Sequence, residues 1–202
     1  MKENITGIIL CGGRNKRMNG QNKAFLEIEG KTFLDLISSR FKELGIELII
    51  ISNEPELFQK SGIKVYKDII KKSTPLSGIH SGLSNIETDF GFVAACDIPF
   101  LKKELIAEII SQTENQYDAV TPSEGSFFQP LCSVYSKKCI PFIEALLLKD
   151  EVKVDRLFEL VRVKKVSYEK LRLADPLLES FFNVNCFEDY QGLMRKKIAE
   201  KL

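Results

Sequence analysis

The sequence predicts a three-layer α/β domain with a mainly parallel central sheet. Short, β-branched apolar runs alternate along the chain with longer stretches whose apolar residues recur at helical spacing. Ile5–Leu10 and Glu47–Ile51 are typical of buried strands, and Thr32–Leu44 between them is typical of a helix that Gly45 ends. Such a strand–helix–strand unit has a right-handed crossover and pairs its strands in parallel.

The same alternation predicts the elements that follow. Apolar runs predict strands at Ile63–Tyr66, Phe90–Cys96 and Ala119–Thr121, and helical spacing predicts helices at Gly78–Ile86 and Leu101–Ser111. After Pro122 the rhythm loosens. The elements predicted there are a strand in "FFQPLCSVYSKK" led in by Pro130, a strand at Val163–Ser167, and helices at Ile140–Leu148, Lys153–Leu160 and Phe187–Leu202. Because no repeat or linker interrupts the chain, residues 1–202 are expected to form a single domain.

Charge and cysteine content exclude several classes of protein. The 202 residues include 29 basic and 28 acidic side chains, a net charge of +1, which argues against a nucleic-acid binder. The five scattered cysteines form no C-x-x-C pair, which argues against a disulfide framework or zinc knuckle and favours a reducing cytoplasm. The start "MKENITGIIL" does not resemble a signal peptide, and no apolar run reaches membrane-spanning length. We therefore expect a cytoplasmic protein without a membrane or nucleic-acid partner.

The segments that follow the predicted strands are the candidates for a binding site. In sheets of this kind, ligands bind outside the carboxyl ends of the strands. Most of these segments carry polar or charged residues: Leu10–Lys23, Ser52–Glu54, Lys67–Asp68, Asp97–Pro99 and Thr121–Ser126.

The first of these segments combines glycine with positive charge. Gly12 and Gly13 follow the first strand directly, and residues without Cβ atoms allow a close backbone approach and a nest of N–H groups for an anion. The cations of the loop are Arg14, Lys16, Arg17 and Lys23. The spacing fits neither G-x-G-x-x-G nor G-x-x-x-x-G-K-[ST], so it supports neither dinucleotide binding nor a P-loop ATPase. The segment predicts a phosphate cradle, and the alternative is a solvated flexible loop.

Three polar residues at later strand ends have both a functional and a structural interpretation. Asp97 could coordinate Mg²⁺ bound to a triphosphate, or it could be a cap or turn residue before the helix predicted near Leu101. Asp68 could be a second acid facing the ligand or a turn residue. Asn53 could hydrogen-bond a base or sugar, or it could cap a short helix at Glu54–Lys60. The residues alone leave these alternatives open.

Two asparagines near the end of the chain form another candidate. In "NVN", Asn183 and Asn185 lie on one side of an extended segment, with Val184 buried between them. They predict a polar contact pair, or a turn before the last helix. Asp189, near the start of that helix, is expected only to complement the helix dipole. His80 is the single histidine and is expected to lie on its helix for packing or solvent contact, because one histidine makes neither a catalytic triad nor a metal cluster.

Four segments, in the same order along the chain, resemble one family. "LCGGRNKRMNGQNKA" is similar to the L-A-G-G-x-S-x-R-M-G-x-D-K signature of molybdenum cofactor guanylyltransferases, within the nucleotidyltransferase superfamily. "TPLSGI" resembles the family's G-P-L-A-G segment, "AACDIP" its C-D-M-P or C-D-T-P strand end, and "FNVNCFEDY" its F-x-N-x-N-T-P-E-D-L close. The resemblance implies a Rossmann-like nucleotidyltransferase fold with a mainly parallel, mixed central sheet.

The resemblance also implies an activity and its residues. The activity is transfer of GMP from Mg·GTP to the terminal phosphate of molybdopterin, with release of pyrophosphate. The residues that it implies for the nucleotide are Leu10, Cys11, Gly12, Gly13, Asn53 and Asp68, with Arg17 and Lys23 holding phosphates. It implies that Asp97 coordinates Mg²⁺, that Arg17, Lys23 and Asp97 are the catalytic residues, and that Asn183 and Asn185 lie near the pterin or the metal-bound phosphates.

The chain departs from the family pattern but keeps the phosphate-binding charges. The departures are Cys11, Asn19, Asn22, Thr74 and Gln129. Cytidylyltransferase relatives are similar to A-A-G at the three positions that Cys11-Gly12-Gly13 occupies in this chain. This difference favours GTP over CTP. The alternatives are a related nucleotidyltransferase that uses CTP or a sugar-phosphate acceptor, and a non-catalytic nucleotide sensor.

The partners follow from the implied reaction. They are GTP and molybdopterin or molybdenum-molybdopterin, together with molybdenum-insertion proteins and molybdoenzyme chaperones. A monomer is expected.

Overall fold

The computed structural model describes residues 4–12 and 22–192. The strands are β1 (Ile5–Leu10), β2 (Glu27–Ile28), β3 (Lys31–Thr32), β4 (Leu48–Ile51), β5 (Lys64–Tyr66), β6 (Phe90–Ala95), β7 (Ala119–Glu124), β8 (Phe127–Phe128), β9 (Cys132–Ser136) and β10 (Val163–Ser167). The helices are α1 (Phe33–Glu43), α2 (Pro75–Asn85), α3 (Lys103–Ser111), α4 (Ile140–Leu148), α5 (Asp155–Phe158) and α6 (Tyr168–Leu171). Short 3₁₀ helices occupy Lys23–Phe25, Pro55–Ser61, Lys137–Cys139 and Glu179–Phe181. Among the helices in these ranges, none has the length and apolar character needed to cross a bilayer.

Eight strands of the described ranges form one mixed sheet. Their order is β10-β7-β9-β6-β1-β4-β5, and β8 pairs with β7. β1 lies between β6 and β4 and is parallel to both, and the β4–β5 and β7–β10 pairs are also parallel. β9 is antiparallel to both of its neighbours, β6 and β7. The prediction of a mainly parallel sheet is confirmed, and the carboxyl ends of β6 and β7 lie at the same edge.

Helices cover both faces of the sheet, which gives the predicted three layers. Ile5 and Ile9 of β1 lie in the cluster that contains the apolar faces of α1 and α3, whereas Ile8 and Leu10 lie in the cluster that contains those of α2 and α4. Successive side chains of a strand point to opposite faces. Because both faces are covered, every residue of β1 is buried, which explains its continuous apolar run.

α2 begins three residues earlier than predicted, at Pro75 rather than Gly78. The Ser77 N–H donates to the Thr74 hydroxyl oxygen (3.3 Å), and the Thr74 N–H donates to the Ser77 hydroxyl oxygen (3.0 Å). This reciprocal capping box sets the start of the helix. Pro75 fits the first helical position because no N–H is required there.

Two elements in the second half differ in length from the prediction. The helix predicted at Lys153–Leu160 is limited to the four residues of α5. The strand predicted at Ala119–Thr121 continues to Glu124, because pairing with β10 extends past Pro122 and β8 pairs with the last two residues. Of the helix predicted at Phe187–Leu202, residues 187–192 are helical and the remainder lies outside the described residues.

The prediction also missed a small hairpin and confirmed one helix end. β2 and β3 contain two residues each, too few to show an alternating pattern. Glu29 (φ 53°) and Gly30 (φ 76°) join them with two left-handed residues, as in a type I′ turn. Gly45 follows α1 with φ 69°, which confirms its predicted role in ending that helix.

Replacement of Gly82 tests the close packing of α2 on β1. A Cβ atom added to Gly82 would lie 2.6 Å from Cγ2 of Ile8, which is fully buried. We expect Gly82→Ala to lower the free energy of unfolding by about 1–3 kcal/mol, although alanine favours an isolated helix by about 1 kcal/mol. Urea unfolding measures the change. Ser84→Ala, at an exposed position of the same helix, is the control and should change stability by less than about 0.5 kcal/mol. A Gly82→Ala protein as stable as the original would contradict the packing.

Candidate functional site

The carboxyl ends of β1, β4 and β6 lie side by side at one edge of the sheet. The Cys11 N–H donates to the Ile51 carbonyl (2.9 Å), and the Cys96 N–H donates to the Leu10 carbonyl (3.2 Å). Leu10 buries its side chain in the core. Gly12 follows and is exposed, and a Cβ atom added to it would meet no heavy atom of the described chain within 4 Å. None of the described residues therefore crowds Gly12, at the edge where a ligand is expected.

The predicted phosphate loop is described in part. Gly13, Arg14, Lys16, Arg17 and Asn19 lie outside the described residues. The described chain resumes at Asn22, whose side-chain oxygen accepts a hydrogen bond from the Ala24 N–H (3.1 Å) and caps the 3₁₀ helix Lys23–Phe25. Ala24 is fully buried. The backbone of Lys23 is thus anchored on both sides, as predicted for a lysine placed where the loop returns to the core.

An ion pair joins this loop to the end of β6. Lys23 Nζ donates to Asp97 Oδ2 at 3.0 Å, and the two side chains are 17% and 22% exposed. The two residues are 74 positions apart in the chain, so only the fold brings them together. Because the pair is partly sheltered from water, its charges interact more strongly than those of a fully solvated pair.

The alternative role of Asp97 as a helix cap is wrong. α3 begins at Lys103, its N-cap residue is Lys102, and no side chain caps it. Asp97 lies well before this start and directs its carboxylate to Lys23. Asp97 does lie in a turn, as the other part of that alternative predicted, and the turn places its carboxylate at the carboxyl end of a buried strand.

The backbone of Asp97 holds the asparagine segment. The Val184 N–H donates to the Asp97 carbonyl (2.9 Å), and the Val184 side chain is fully buried in a cluster with Leu26, Ile28 and Phe33. The neighbouring residues Asn183 and Asn185 are exposed. The predicted pattern of a buried valine between two exposed asparagines is confirmed, and the fold places both beside Asp97.

Asp189 does more than the sequence indicated. Its Oδ2 accepts hydrogen bonds from the N–H groups of Asn185 (2.8 Å) and Cys186 (3.0 Å), directly before the helical residues 187–192. The expectation that Asp189 only complements the helix dipole is therefore incomplete, because its carboxylate also fixes the backbone of Asn185.

Asn53 and Asp68 hold each other at the ends of β4 and β5. Asn53 Nδ2 donates to Asp68 Oδ2 (2.9 Å), and the Asp68 N–H donates to Asn53 Oδ1 (3.1 Å). Burial raises the pKa of the Asp68 carboxyl, and hydrogen bonds from Asn53 and Ser77 oppose that shift. The alternative role of Asn53 as a helix cap is wrong, because the N-cap of Pro55–Ser61 is Glu54 and has no side-chain cap. The pair presents an amide and a carboxyl group at the same edge as Gly12.

The remaining predicted features have structural roles. His80 is buried on α2, and its Nε2 lies 3.0 Å from Glu144 Oε1 on α4, so the expected packing role is confirmed. All five cysteines are free, which agrees with the prediction of no disulfide framework. Burial, reinforced by contact with Cys96, raises the pKa of the Cys11 thiol well above its ordinary value. Cys11 is therefore a neutral thiol rather than a nucleophile.

Two further groups of contacting residues carry no sequence motif. Gln129 Nε2 donates to the Tyr168 hydroxyl (2.8 Å) at the same edge of the sheet. Lys102 Nζ donates to the buried carboxylate of Asp175 (2.8 Å). In both cases the partners are far apart in the chain, so local spacing carries no signal of the contact. Gln129 was noted as a departure from the family pattern, whereas Lys102, Tyr168 and Asp175 were not singled out.

The described residues offer a metal ion few ligands of their own. No three or more His, Cys, Asp or Glu side chains in ranges 4–12 and 22–192 gather closely enough to hold one. Asp97 supplies one carboxylate at the open edge. A hard cation would therefore need oxygen atoms from a substrate or from water to complete its coordination.

Comparisons with known proteins agree with the resemblance of the motifs. Residues 7–166 match the family described as the MobA-like NTP transferase domain. A molybdenum cofactor guanylyltransferase of Desulfosudis oleivorans is 35% identical over 187 residues, which cover 93% of this chain and 93% of that protein. A probable molybdenum cofactor guanylyltransferase of Pelotomaculum thermopropionicum is 41% identical over 184 residues, which cover 91% of this chain and 89% of that protein.

A solved structure shares the fold of this chain over almost the whole length of both chains. It is the molybdopterin-guanine dinucleotide biosynthesis protein A of Archaeoglobus fulgidus, with a TM-score of 0.83 and 24% sequence identity. The match covers 98% of this chain and 100% of that chain. At this level of identity the likeness shows the fold.

Alkylation with iodoacetamide tests whether the thiol at the site is inert. Because the thiolate is the reactive form, we expect Cys11 in the native protein to react at least about tenfold more slowly than the more exposed Cys186 at neutral pH. Peptide mass spectrometry measures both rates, and unfolding in denaturant should make them similar. A Cys186→Ser protein controls for the identity of the first labelled site. Equal rates for Cys11 and Cys186 in the native protein would mean that Cys11 is an accessible thiol.

Proposed function

The chain belongs to the molybdenum cofactor guanylyltransferases, within the family of the MobA-like NTP transferase domain, and we propose that it binds Mg·GTP and molybdopterin at the carboxyl edge of its sheet. It transfers GMP to molybdopterin and forms molybdopterin guanine dinucleotide. The other product is pyrophosphate.

The contacts of Asp97 carry the assignment of the site. Its carboxylate contacts Lys23 at the end of the glycine loop, and its carbonyl accepts the Val184 N–H between Asn183 and Asn185. One residue therefore touches both of the segments that match the family motifs at opposite ends of the chain. A transfer between two bound molecules needs such a meeting point, because the reacting groups must be held in contact.

On the nucleotide side, we propose that the backbone of Leu10, Cys11, Gly12 and Gly13 contacts guanine and the triphosphate. The absence of any described heavy atom within 4 Å of a Cβ position at Gly12 supports this, since a residue without a side chain lets a ligand approach the backbone closely. Asn53 and Asp68 contact the nucleoside. Their mutual hydrogen bonds orient both side chains before the nucleotide arrives, which reduces the entropy lost on binding.

The acceptor side is formed by the asparagines. Asn183 and Asn185 contact the pterin or the metal-bound phosphates. Amide side chains offer both donors and acceptors, which suits the polar edge of a pterin as well as phosphate oxygens. Because both are exposed and flank the residue that binds the Asp97 carbonyl, an acceptor bound to them would lie next to Asp97.

The residues present fit a bound Mg²⁺. Mg²⁺ in nucleotide sites is typically held by one or two carboxylates together with substrate phosphates and water, and Asp97 provides such a carboxylate. When bound, Mg²⁺ would neutralise phosphate charge and orient the triphosphate.

Lys23 and Arg17 provide the positive charge for the reaction. A terminal phosphate oxygen of molybdopterin attacks the α-phosphorus of GTP, a new P–O bond forms, and the bond to the β-phosphate oxygen breaks with its electron pair leaving on pyrophosphate. The attacking phosphate is already an anion, so no side chain has to remove a proton. The obstacle is repulsion between anions. Lys23, whose backbone is anchored beside the buried Ala24 and whose side chain lies at Asp97, offsets this repulsion; Arg17 lies outside the described residues.

The setting of the enzyme is also proposed. A cytoplasmic location agrees with five free cysteines. We propose that residues 1–202 act as one domain and a monomer, and that molybdenum-insertion proteins and molybdoenzyme chaperones are its protein partners.

Variants of the ion pair test the catalytic roles. We expect Asp97→Asn and Lys23→Met each to lower the rate of pyrophosphate release by about 10²–10³-fold, because each removes charge aimed at the transferred phosphoryl group. A partly exposed ion pair contributes only about 0–1 kcal/mol to folding, so both proteins should remain folded. Lys31→Met, at an exposed lysine of β3, is the matched control and should keep full activity. Near-normal turnover of Asp97→Asn or Lys23→Met would remove that residue from the mechanism.

Parallel assays with GTP and CTP test the choice of base. With Mg²⁺ and molybdopterin, we expect pyrophosphate release with GTP alone. Gly12→Ala should leave stability unchanged, because its Cβ atom would meet no heavy atom of the described residues within 4 Å. It should weaken GTP binding by about tenfold or more, because the added methyl group keeps the nucleotide from the backbone. Release with CTP alone would overturn the base assignment. If GTP bound but no pyrophosphate were released with any acceptor, sugar phosphates included, the protein would be a nucleotide sensor.

A further inference from the structure

Four residues form a clamp between the start of α3 and the segment that precedes the asparagines. The clamp consists of Lys102, Asp175, Glu179 and Ser180, and the strap is defined as residues 175–186. Lys102 Nζ donates to Asp175 Oδ1 (2.8 Å) and to Glu179 Oε2 (2.8 Å). The Ser180 N–H donates to Asp175 Oδ2 (2.8 Å), and the Lys102 N–H donates to the Ser180 hydroxyl oxygen (3.0 Å).

The buried carboxylate at its centre depends on these partners. Asp175 is 0% exposed. Burial alone would raise the pKa of Asp175, but the hydrogen bonds from Lys102 and Ser180 outweigh it and hold the pKa below its ordinary value. A buried charge that loses its partner is strongly destabilising, so the carboxylate permits few other positions of the strap.

The strap runs alongside the segment from residue 97 to residue 102, and the clamp joins the two at one end. At the other end, the Val184 N–H donates to the Asp97 carbonyl (2.9 Å). Between the two ends, the rings of Phe100 and Phe182 lie 6.1 Å apart, centroid to centroid. The segment from residue 97 to residue 102 is therefore attached to the strap at both ends and in the middle.

Aromatic contacts hold the strap from a second direction. The ring of Phe181 stacks on Tyr168 with a centroid distance of 5.1 Å, and the Tyr168 hydroxyl accepts the hydrogen bond from Gln129. Gln129 is in turn held by the sheet, since its N–H donates to the Pro122 carbonyl (3.0 Å). The strap thus has contacts in two directions, whereas Asn183 and Asn185 remain exposed.

We propose that the Lys102–Asp175 pair is a positioning device that holds Asn183 and Asn185 at the distance from Asp97 that the acceptor requires. This inference rests on the proposed function, in which those asparagines bind the pterin acceptor. Lys102 and Asp175 act through the strap and touch no substrate. Loss of the pair should therefore weaken acceptor binding and leave GTP binding unchanged. The residues proposed for guanine and the nucleoside follow β1, β4 and β5, and Asp97 directly follows β6, so the sheet holds them without the clamp.

A second aspartate provides a matched control for stability. Asp118 is also buried and accepts hydrogen bonds from the Arg162 N–H (3.0 Å) and the Arg162 side chain (3.3 Å). It directly precedes β7, at the edge of the sheet opposite to Asp97. Asp118→Asn should therefore lower stability without moving the strap.

The experiment compares Asp175→Asn, Lys102→Met and Asp118→Asn in steady-state kinetics with GTP and molybdopterin. Because small displacements of binding groups have large effects on reactivity, we expect the first two variants to raise KM for molybdopterin by about tenfold or more. KM for GTP should stay within about twofold in both, and Asp118→Asn should leave both constants unchanged. Since Lys102 and Asp175 act as one unit, the double variant should be no worse than either single variant.

Hydrogen exchange of the Val184 amide gives a second reading that needs no activity. We expect faster exchange of residues 183–186 in Asp175→Asn and Lys102→Met, and not in Asp118→Asn, because only the first two loosen the strap. Unchanged exchange in this segment would overturn the proposal, as would equal changes in KM for GTP and for molybdopterin, or additive effects in the double variant. An inactive original protein whose Val184 amide still responds to the clamp variants would overturn the proposed function and keep the positioning role.

Discussion

The parallel pairing of β1 with both β4 and β6 is the constraint on which the rest of the site depends. Leu10 is in register with Ile51 on one side and Ala95 on the other, so the three strands end level with one another. Parallel neighbours run in the same direction, and the residues that follow them leave the sheet at the same edge. Gly12 and Asp97 therefore leave the sheet at the same level, although the described chain between them contains α1, α2 and three further strands of the sheet, β4, β5 and β6.

The antiparallel strand β9 extends this edge beyond β6. Since β9 runs opposite to β6 and β7, its beginning lies next to their carboxyl ends, and the Leu131 carbonyl accepts the Ala95 N–H (3.0 Å). Gln129 is thereby brought to the level of Asp97. An all-parallel sheet would place the end of this strand there instead. The reversal divides the edge into a glycine-rich half on β1 and a half on β6, β7 and β10 that carries amides and aromatic rings.

Sequence reasoning succeeded where the signal is local. β1, β10 and α4 have the predicted bounds because apolar runs and helical spacing lie within the elements themselves. The start of α2 was misjudged, since a capping box involves side chains that precede the apolar pattern. The partners of Asn53 and Asp175 could not be predicted, because a hydrogen bond across the fold leaves no spacing to detect. For Asp97 the sequence left open a metal ligand, a helix cap and a turn residue, and the position of α3 excluded the cap.

The pairs Lys23–Asp97 and Lys102–Asp175 differ in how deeply the carboxylate is buried, and this difference suits them to different tasks. Lys23 and Asp97 are both partly exposed, so water can compensate either charge while it changes partner. Such a pair suits groups that must contact a phosphate or a metal ion and later release it. Asp175 is fully buried and cannot change partner without leaving an uncompensated charge in the interior. A pair of that kind suits a fixed backbone position. Both pairs consist of a lysine beside an aspartate. The depth at which the fold holds the carboxylate lets one pair change partners and keeps the other pair fixed.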